Sequence, residues 1–480
     1  MSQRDNRRKS GCAGYAALLA ALLLAGCKSL SPDGMGFVAS IADVELNKEV
    51  GVIRTPEQAQ DVQARVAAML RKPLNADAAV QIALLNNRGL QAAYNALGIA
   101  EAELIRDSLP PSPTVSLERM SNPLELEIER RIIANILALA TLPARAAIAA
   151  DRFEQARLRA AEETLRVAAD ARRNYYRAVA ARQVAAFLDQ ANDAAETAVK
   201  LARRLGETGA INKIDQAREQ VFHAEVAGQL GVARQRMASD RERLIRSLGL
   251  WGQELKFALP GFLPTLPRRA QTLPEIEVEA VRRRIDLQIA RIEVTTLART
   301  HGLTQASRFV NLLELSGIRK TVKDRATGEK EVSRGYEAEL QIPLFDLGES
   351  RVRIAENTYM QAVNRLAEKA VNVRSEAREA YRGYRAAYDL ARHYRDEVMP
   401  LRKIISDETL LRYNAMLIDV FALLNEARQR IAANVQAIET QREFWLATVD
   451  LGVAVTGGGV AGASGAGMPA SASPAGEAGH

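Results

Sequence analysis

The stretch Arg334–Arg351 reads RGYEAELQIPLFDLGESR, and the fold turns on it. Tyr336, Ala338, Leu340 and Ile342 alternate with Glu337, Glu339 and Gln341, the period of a β-strand with one apolar and one charged side. Pro343 ends the ladder because it has no N–H to donate. After Leu344-Phe345-Asp346-Leu347-Gly348 the pattern turns helical and meets no proline until Pro400. A strand that passes through a Pro-Leu-Phe step into a very long helix is an uncommon join. An edge strand and helix of an ordinary α+β domain stays open until the rest of the chain is read.

Working back, Leu74-Asn75-Ala76-Asp77 opens an alanine-rich helical run to Leu109, stopped by Pro110-Pro111-Ser112-Pro113. A second strand region follows. Val115 and Leu117 alternate with Thr114, Ser116 and Glu118. After a turn at Ser121-Asn122-Pro123, Leu124, Leu126 and Ile128 alternate with Glu125, Glu127 and Glu129. Three glutamates on one strand face need water on their side, while the leucines need an apolar surface on theirs.

No proline occurs between Pro143 and Pro260, and the window is rich in strong helix formers. Phe187, Ala191, Ala194, Ala198, Leu201 and Leu205 follow the 4-3 spacing of a coiled-coil seam. The spacing predicts a helix over Ala144–Leu205 on the order of 90 Å long, too long for any globular core. Gly206-Glu207-Thr208-Gly209 reads as a hairpin tip before a return helix, Ile211–Leu248. Pro260, Pro264, Pro267 and Pro274 mark a linker, and the outline then repeats: helix, strand region, the charged turn Lys323–Glu331, strand, and a helix to Val398 that Pro400 interrupts. A tip at Tyr413-Asn414-Ala415 follows, then a return helix with a seam at Val420, Leu424, Ala427, Ile431, Asn434 and Ile438. Gly89-Leu90-Gln91-Ala92-Ala93 matches Asp286-Leu287-Gln288-Ile289-Ala290, and Leu248-Gly249 matches Leu451-Gly452. A unit of some two hundred residues is a duplicated module, not a solenoid repeat.

The division expected is 1–26 signal peptide, 27–73 tether with a short helix at Pro56–Leu70, 74–259 first repeat with strands at about 113–134, and 260–274 linker. A second repeat over 275–456 carries strands at about 308–343, and a disordered Gly/Ala/Ser tail covers 457–480. The N-terminus has a basic segment (Arg4, Arg7, Arg8, Lys9) and an apolar run, Tyr15–Ala25, too short to span a membrane. Leu24-Ala25-Gly26-Cys27 resembles a bacterial lipobox, which implies that Cys27 is lipidated and becomes the mature N-terminus. Lys28 in place of an aspartate then favours sorting to the outer membrane. With Cys12 removed, no disulfide can form within the mature chain. Loss of four basic and one acidic residue lowers the formal charge from +7 to +4, and no basic patch interleaved with aromatics appears, so nucleic acid is not an expected partner.

With these parts in place the chain resembles the TolC-type outer-membrane efflux proteins, roughly from Leu74 to Gly452. The residues that carry the resemblance are Ile342-Pro343-Leu344-Phe345-Asp346-Leu347-Gly348, the Leu-Gln-x-Ala pair and the two tips. Leu142-Pro143-Ala144-Arg145 replaces the join in the first half. That weaker form, with Tyr413-Asn414-Ala415-Met416-Leu417-Ile418, is similar to metal-efflux and copper-resistance members, although Ala415 stands where a glycine is usual. The resemblance implies a mainly α fold with a membrane β-barrel. Duplicated helical hairpins would build a trimeric α-barrel across the periplasm, and four strands per chain would contribute to one shared twelve-stranded barrel. It implies an outer-membrane exit duct of a tripartite efflux system, passing metal ions or small toxic compounds supplied by an inner-membrane pump through a periplasmic adaptor.

The strand pattern sends Glu125, Glu127, Glu129, Glu337 and Glu339 into a pore and the leucines to membrane lipid, with Arg130, Arg131 or Arg334 as candidate ion-pair partners. By resemblance, Asp215, Tyr413 and Asp419 constrict the periplasmic mouth. His223, His301, His393 and His480 stand alone, without ligand spacing. No nucleophile or phosphate loop appears, so neither an enzyme, a resident metal nor a cofactor is expected. Two alternatives remain. A periplasmic adaptor has one hairpin flanked by β-domains. A helical scaffold lipoprotein without a pore would not need alternating strands.

Overall fold

The architecture is built on a 66-residue helix, α6 (Leu142–Glu207), which at 1.5 Å per residue is about 100 Å long. In the computed structural model the described residues are 33–457 except 210, so Cys27, the signal segment and the tail beyond 457 lie outside them. Alanines such as Ala161, Ala168, Ala171, Ala178 and Ala180 are buried along α6. Their small side chains let it touch helices on several sides: α1 (Asp33–Leu46), α3 (Ala76–Asn86), α4 (Arg88–Ser108), α7 (Lys213–Leu248), α9 (Ile285–Ala306) and α12 (Val420–Thr456). An aromatic cluster ties the halves together. Tyr176 of α6 stacks on Trp445 at 5.2 Å, and neighbouring Phe444 packs on Tyr384 and Tyr388 of α10 (Glu349–His393).

The duplication is visible in the caps. Asn87 is the shared hinge between α3 and α4, and Arg284 is the same hinge between α8 (Ile276–Arg283) and α9. Left-handed Gly249 ends α7 with the Asn86 carbonyl pressed against the place of a Cβ, so no other residue fits. In the second half the helix runs past Leu451-Gly452, and Gly457, lying against Ile285, takes that role.

Three further expectations are corrected. Within 27–73 the short helix expected at Pro56–Leu70 is present, but the segment is no loose tether from Asp33 on. Val38, Ala42 and Val66 of α1 and α2 (Pro56–Leu70) are fully buried, and the Gln91 amide accepts from Ile53 N and donates to the Gly51 carbonyl. Pro400 does not stop the helix. A π-helical turn, Tyr394–Val398, precedes α11 (Met399–Asn414), and a widened turn makes room for a residue that lacks an N–H. The seam at Phe187–Leu205 is rotated: Leu188, Ala195 and Ala202 are buried, whereas Ala194 and Leu201 are exposed. Of the predicted row, Phe187, Ala191, Ala198 and Leu205 are half-buried, and Ala191 packs with Phe222 and Val226 of α7, so the row flanks the buried one. The Leu424–Ile438 seam is buried or half-buried.

At one end of the helices lies a four-stranded antiparallel sheet in the order β1 (Thr114–Ser121), β2 (Glu125–Asn135), β3 (Leu312–Asp324), β4 (Lys330–Gln341). The two halves contribute a hairpin each, and β2 pairs with β3. The charged turn is shorter than expected, because the strands take all but 325–329. A short helix, α5 (Ile136–Ala140), joins β2 to α6.

Candidate channel strands and helix tips

In an antiparallel sheet, residues directly opposite one another share a face. Glu129 opposes Glu118 and Lys320; Arg131 opposes Ser116 and Ile318; Ser316 opposes Glu337; Glu314 opposes Asn135 and Glu339. Glu125, Glu127, Glu129, Glu337 and Glu339 therefore lie on one face, together with Glu118, Glu314, Glu331 and Asp324, which the sequence reading did not single out. That face carries nine carboxylates and two cations, Arg131 and Lys320. The other face carries Val115, Leu117, Leu126, Ile128, Ile132, Leu313, Leu315, Val332, Tyr336 and Leu340, and no carboxylate at all. On β3 the glutamate face is half-buried or buried at every position, with Ser316 fully shielded, while Leu315, Gly317, Arg319 and Lys323 opposite are exposed. The asymmetry belongs to the inner strand β3; the outer strands β1 and β4 are exposed on both faces.

Arg131 bridges Glu129 and Glu337, both at 2.9 Å, and Lys320 meets Glu127 at 2.5 Å. Of the three arginines expected as partners, Arg130 and Arg334 fall on the opposite face and only Arg131 serves. Lys320 was missed because its partner is diagonal across two strands whose register the sequence does not state. Among the described residues, the Glu125 and Glu339 carboxylates have neither hydrogen bond nor ion pair.

The strand-to-helix join explains its own sequence. Leu347 and Gly348 both take positive φ, 49° and 74°. The Arg308 carbonyl occupies the place a Cβ on Gly348 would need. The Asp346 carboxylate accepts from Gly348 N at 3.0 Å and from the Ser350 hydroxyl, closing the first turn of α10. Phe345 is fully exposed, and Leu344 is 73% exposed.

At the far end of the helices, Asn212 caps α7 by accepting from Asp215 N at 2.8 Å, and the Asp215 carboxylate meets Arg218 at 3.1 Å. Asp419 is itself the cap of α12, accepting from Ala422 N at 2.9 Å. Both aspartates thus have local structural tasks. Half-buried Tyr413 accepts from Met416 N through its backbone carbonyl at 2.9 Å. The glycine expected near Ala415 would have served one residue later: Met416 holds the left-handed position, φ 58°. Its side chain is 93% exposed, beside exposed Leu417, with Ile214 and Phe421 exposed at the same end of the hairpins. The sequence reading placed Ile214, Met416 and Leu417 within the two tips, Leu205–Asp215 and Arg412–Asp419, but did not single out their exposed apolar side chains. Behind them Glu219 of α7 is buried with one carboxylate oxygen unpartnered, and that burial raises its pKa.

Among the described residues no group of three or more His, Cys, Asp or Glu side chains could hold a metal ion, and no helix is long and apolar enough to cross a membrane. The latter says nothing of strands.

No protein-family model and no curated protein matches the sequence. Solved structures do match the fold. The outer membrane channel CmeC of Campylobacter jejuni aligns over 88% of this chain and 92% of its own, with TM-score 0.69 and 16% identity. CusC, described for conformational changes accompanying folding and transmembrane channel formation, aligns over 79% and 91%, with TM-score 0.66 and 14% identity. The open state of the Neisseria gonorrhoeae MtrE outer membrane channel aligns over 79% and 88%, with TM-score 0.62 and 14% identity. The chain has the fold of these outer-membrane channels, which is the TolC-type architecture.

Proposed function

We propose that the protein is a passive exit duct of the outer membrane, the outermost part of a tripartite efflux pump. The observation that carries this reading is the sorting of charge across the sheet. Nine carboxylates share one face, and the face without a carboxylate holds the exposed leucines and isoleucines. A water-filled lumen inside and lipid outside would require that division. The sheet also ends in unpaired strands, β1 and β4. Open edges are not viable in hydrocarbon, so closure needs other copies. Three chains of four strands give the twelve-stranded barrel of the proposal.

In this arrangement the hairpins extend into the periplasm, and the tips at Ile214, Met416, Leu417 and Phe421 meet the adaptor, through which an inner-membrane pump supplies the cargo. Asp215, Tyr413 and Asp419 line the periplasmic mouth. Small toxic compounds or metal ions are the proposed substrates, and Cys27 carries a lipid anchor that adds to the barrel's hold on the membrane. Extraction and conductance test the duct together. With Cys27→Ala, the protein should still require detergent for release and should form pores in planar bilayers. Release by salt or carbonate, with no pores, would favour the scaffold reading instead.

A further inference from the structure

The face that the duct reading turns towards lipid is not wholly apolar. Arg130 directly opposes Arg319, and Arg319 directly opposes Arg334, so three arginines stand side by side across β2, β3 and β4. Adjacent strands are about 4.8 Å apart, and like charges directly opposite repel. Arg119, Lys323 and Lys330 lie on the same face between this row and the strand turns. Among the described residues none of the six cations has a carboxylate partner, and every carboxylate of the sheet points to the other side. Nothing among the described residues offsets the row.

Its height in the membrane is constrained. A cation on the lipid face of a barrel is costly at the midplane and nearly free at the interface, and three in register multiply that difference. From Arg334 on β4 to Ile342, just past its end, is eight residues, about 26 Å along a strand and about 20 Å across the bilayer at a 40° tilt. Leu340, Ile342, Leu344 and the fully exposed Phe345 fill that band and end it at the helices. Placing the arginine row at the outer edge of the hydrocarbon therefore gives an apolar belt of the expected height, with Phe345 and Phe309, both exposed, at its inner rim.

We propose that Arg130, Arg319 and Arg334 form a binding row for lipid headgroups that carry more than one phosphate, in the outer leaflet of the membrane, with Arg119, Lys323 and Lys330 contacting the same headgroup layer. The proposal rests on the duct reading for which face meets lipid. Phosphate suits the site because guanidinium forks bind it in two-point fashion, and adjacent arginines a strand apart can share one phosphate between them. A second phosphate on the same headgroup then engages the third arginine.

The test uses the full chain in neutral detergent and fluorescent lipid A, which bears two phosphates, as the probe. Binding should fall about a hundredfold in Arg130→Gln/Arg319→Gln/Arg334→Gln, counting roughly fivefold for each arginine near the headgroups. It should be unchanged in Glu125→Gln/Glu339→Gln, on the other face. A lipid with one phosphate should bind more weakly to the wild type and lose less. Equal binding by wild type and triple variant overturns the proposal. Arg334→Gln alone, on a terminal strand, provides a variant less exposed to misfolding and should lose about fivefold. Conductance of each preparation in planar bilayers separates the two readings. Pores with an indifferent triple variant reject the headgroup row alone, and absence of pores from the wild type rejects the duct.

Discussion

Arg131 and Glu337 are 206 residues apart and meet at 2.9 Å across the sheet, joining the strand pair of the first repeat to that of the second. The reach crosses β3, where Ile318 stands opposite Arg131 and the small Ser316 stands opposite Glu337 on the same face. Arg131 also holds Glu129, so Arg131→Gln frees two carboxylates at once. Both partners are about a third to a half exposed, which limits the pair to at most about 1 kcal/mol. A double-mutant cycle with Glu337→Gln, read by thermal unfolding in detergent, should give a coupling below about 1 kcal/mol that shrinks in high salt. A coupling that salt does not change would mean the pair is sealed from water, contrary to an open lumen.

Gly348 offers the sharpest test of the join. A methyl group there would strike the Arg308 backbone carbonyl, which cannot swing aside as a side chain can. Gly348→Ala should destabilise by more than about 1 kcal/mol, beyond the usual gain from stiffening the unfolded chain. The measurement is the yield of folded protein after refolding into detergent. Gly317→Ala, where nothing lies within 4 Å of the added carbon, serves as the matched control and should refold normally.

These residues show how much the sequence could tell. Period-two alternation at Leu124–Glu129 and Tyr336–Gln341 was enough to place the strands, because alternation depends only on neighbours in the chain. The duplicated motif aligns Asn87 with Arg284, but the hinge that each forms was not expected from the sequence, which read as an unbroken helical run in both halves. Register was a different matter. Which of Arg130, Arg131 and Arg334 meets a glutamate depends on strand pairing between segments some two hundred residues apart, and a shift of one residue exchanges the faces. The seam at Phe187–Leu205 was offset by one residue: Leu188, Ala195 and Ala202 form the buried row, with Phe187 and Ala191 half-buried beside it. A helix packed on several sides has more than one apolar row, and spacing alone does not rank them. The proposed mouth residues Asp215 and Asp419 sit at helix starts, and an aspartate that begins a helix and one that narrows a pore look alike in sequence.

Met416 holds a left-handed backbone conformation that favours glycine, at a cost of roughly 1–2 kcal/mol, and exposes nearly its whole side chain. Met416→Gly should therefore stabilise the protein by about 1 kcal/mol in thermal unfolding. If the tip docks an adaptor, the same change should weaken crosslinking from neighbouring tip positions. Gained stability with undiminished capture would assign Met416 no part in docking.

Glu219 gives a pH signature. Burial raises its pKa above the ordinary carboxylate value, so the folded state holds this proton more tightly than the unfolded chain. Its protonated form is compatible with the fold at pH below the unfolded value. As pH rises through the raised folded value, the chain must bury a charge, and stability is lost. Glu219→Gln should leave stability unchanged at pH 4 and raise it by on the order of 1 kcal/mol at pH 7. An equal effect at both pH values would show that the side chain acts by shape rather than charge.

Ion selectivity tests the lumen itself. With threefold assembly, each chain would present nine carboxylates and two cations to the pore, so the duct should prefer cations. Glutamine at Glu125, Glu127, Glu129, Glu337 and Glu339 leaves Glu118, Glu314, Glu331 and Asp324 against Arg131 and Lys320. The preference should then weaken without reversing. Replacing only Glu125 and Glu339, which bridge to nothing, should produce a smaller change in the same direction. Lys320→Gln should act oppositely, because it removes one of the two positive charges and frees Glu127 from its partner. Reversal potentials across a KCl gradient in planar bilayers measure all three, and the differences should diminish near molar salt, where screening falls to about 3 Å. If Lys320→Gln and the glutamate replacements shift selectivity in the same direction, or if neither shifts it, the acidic face does not line the conducting path.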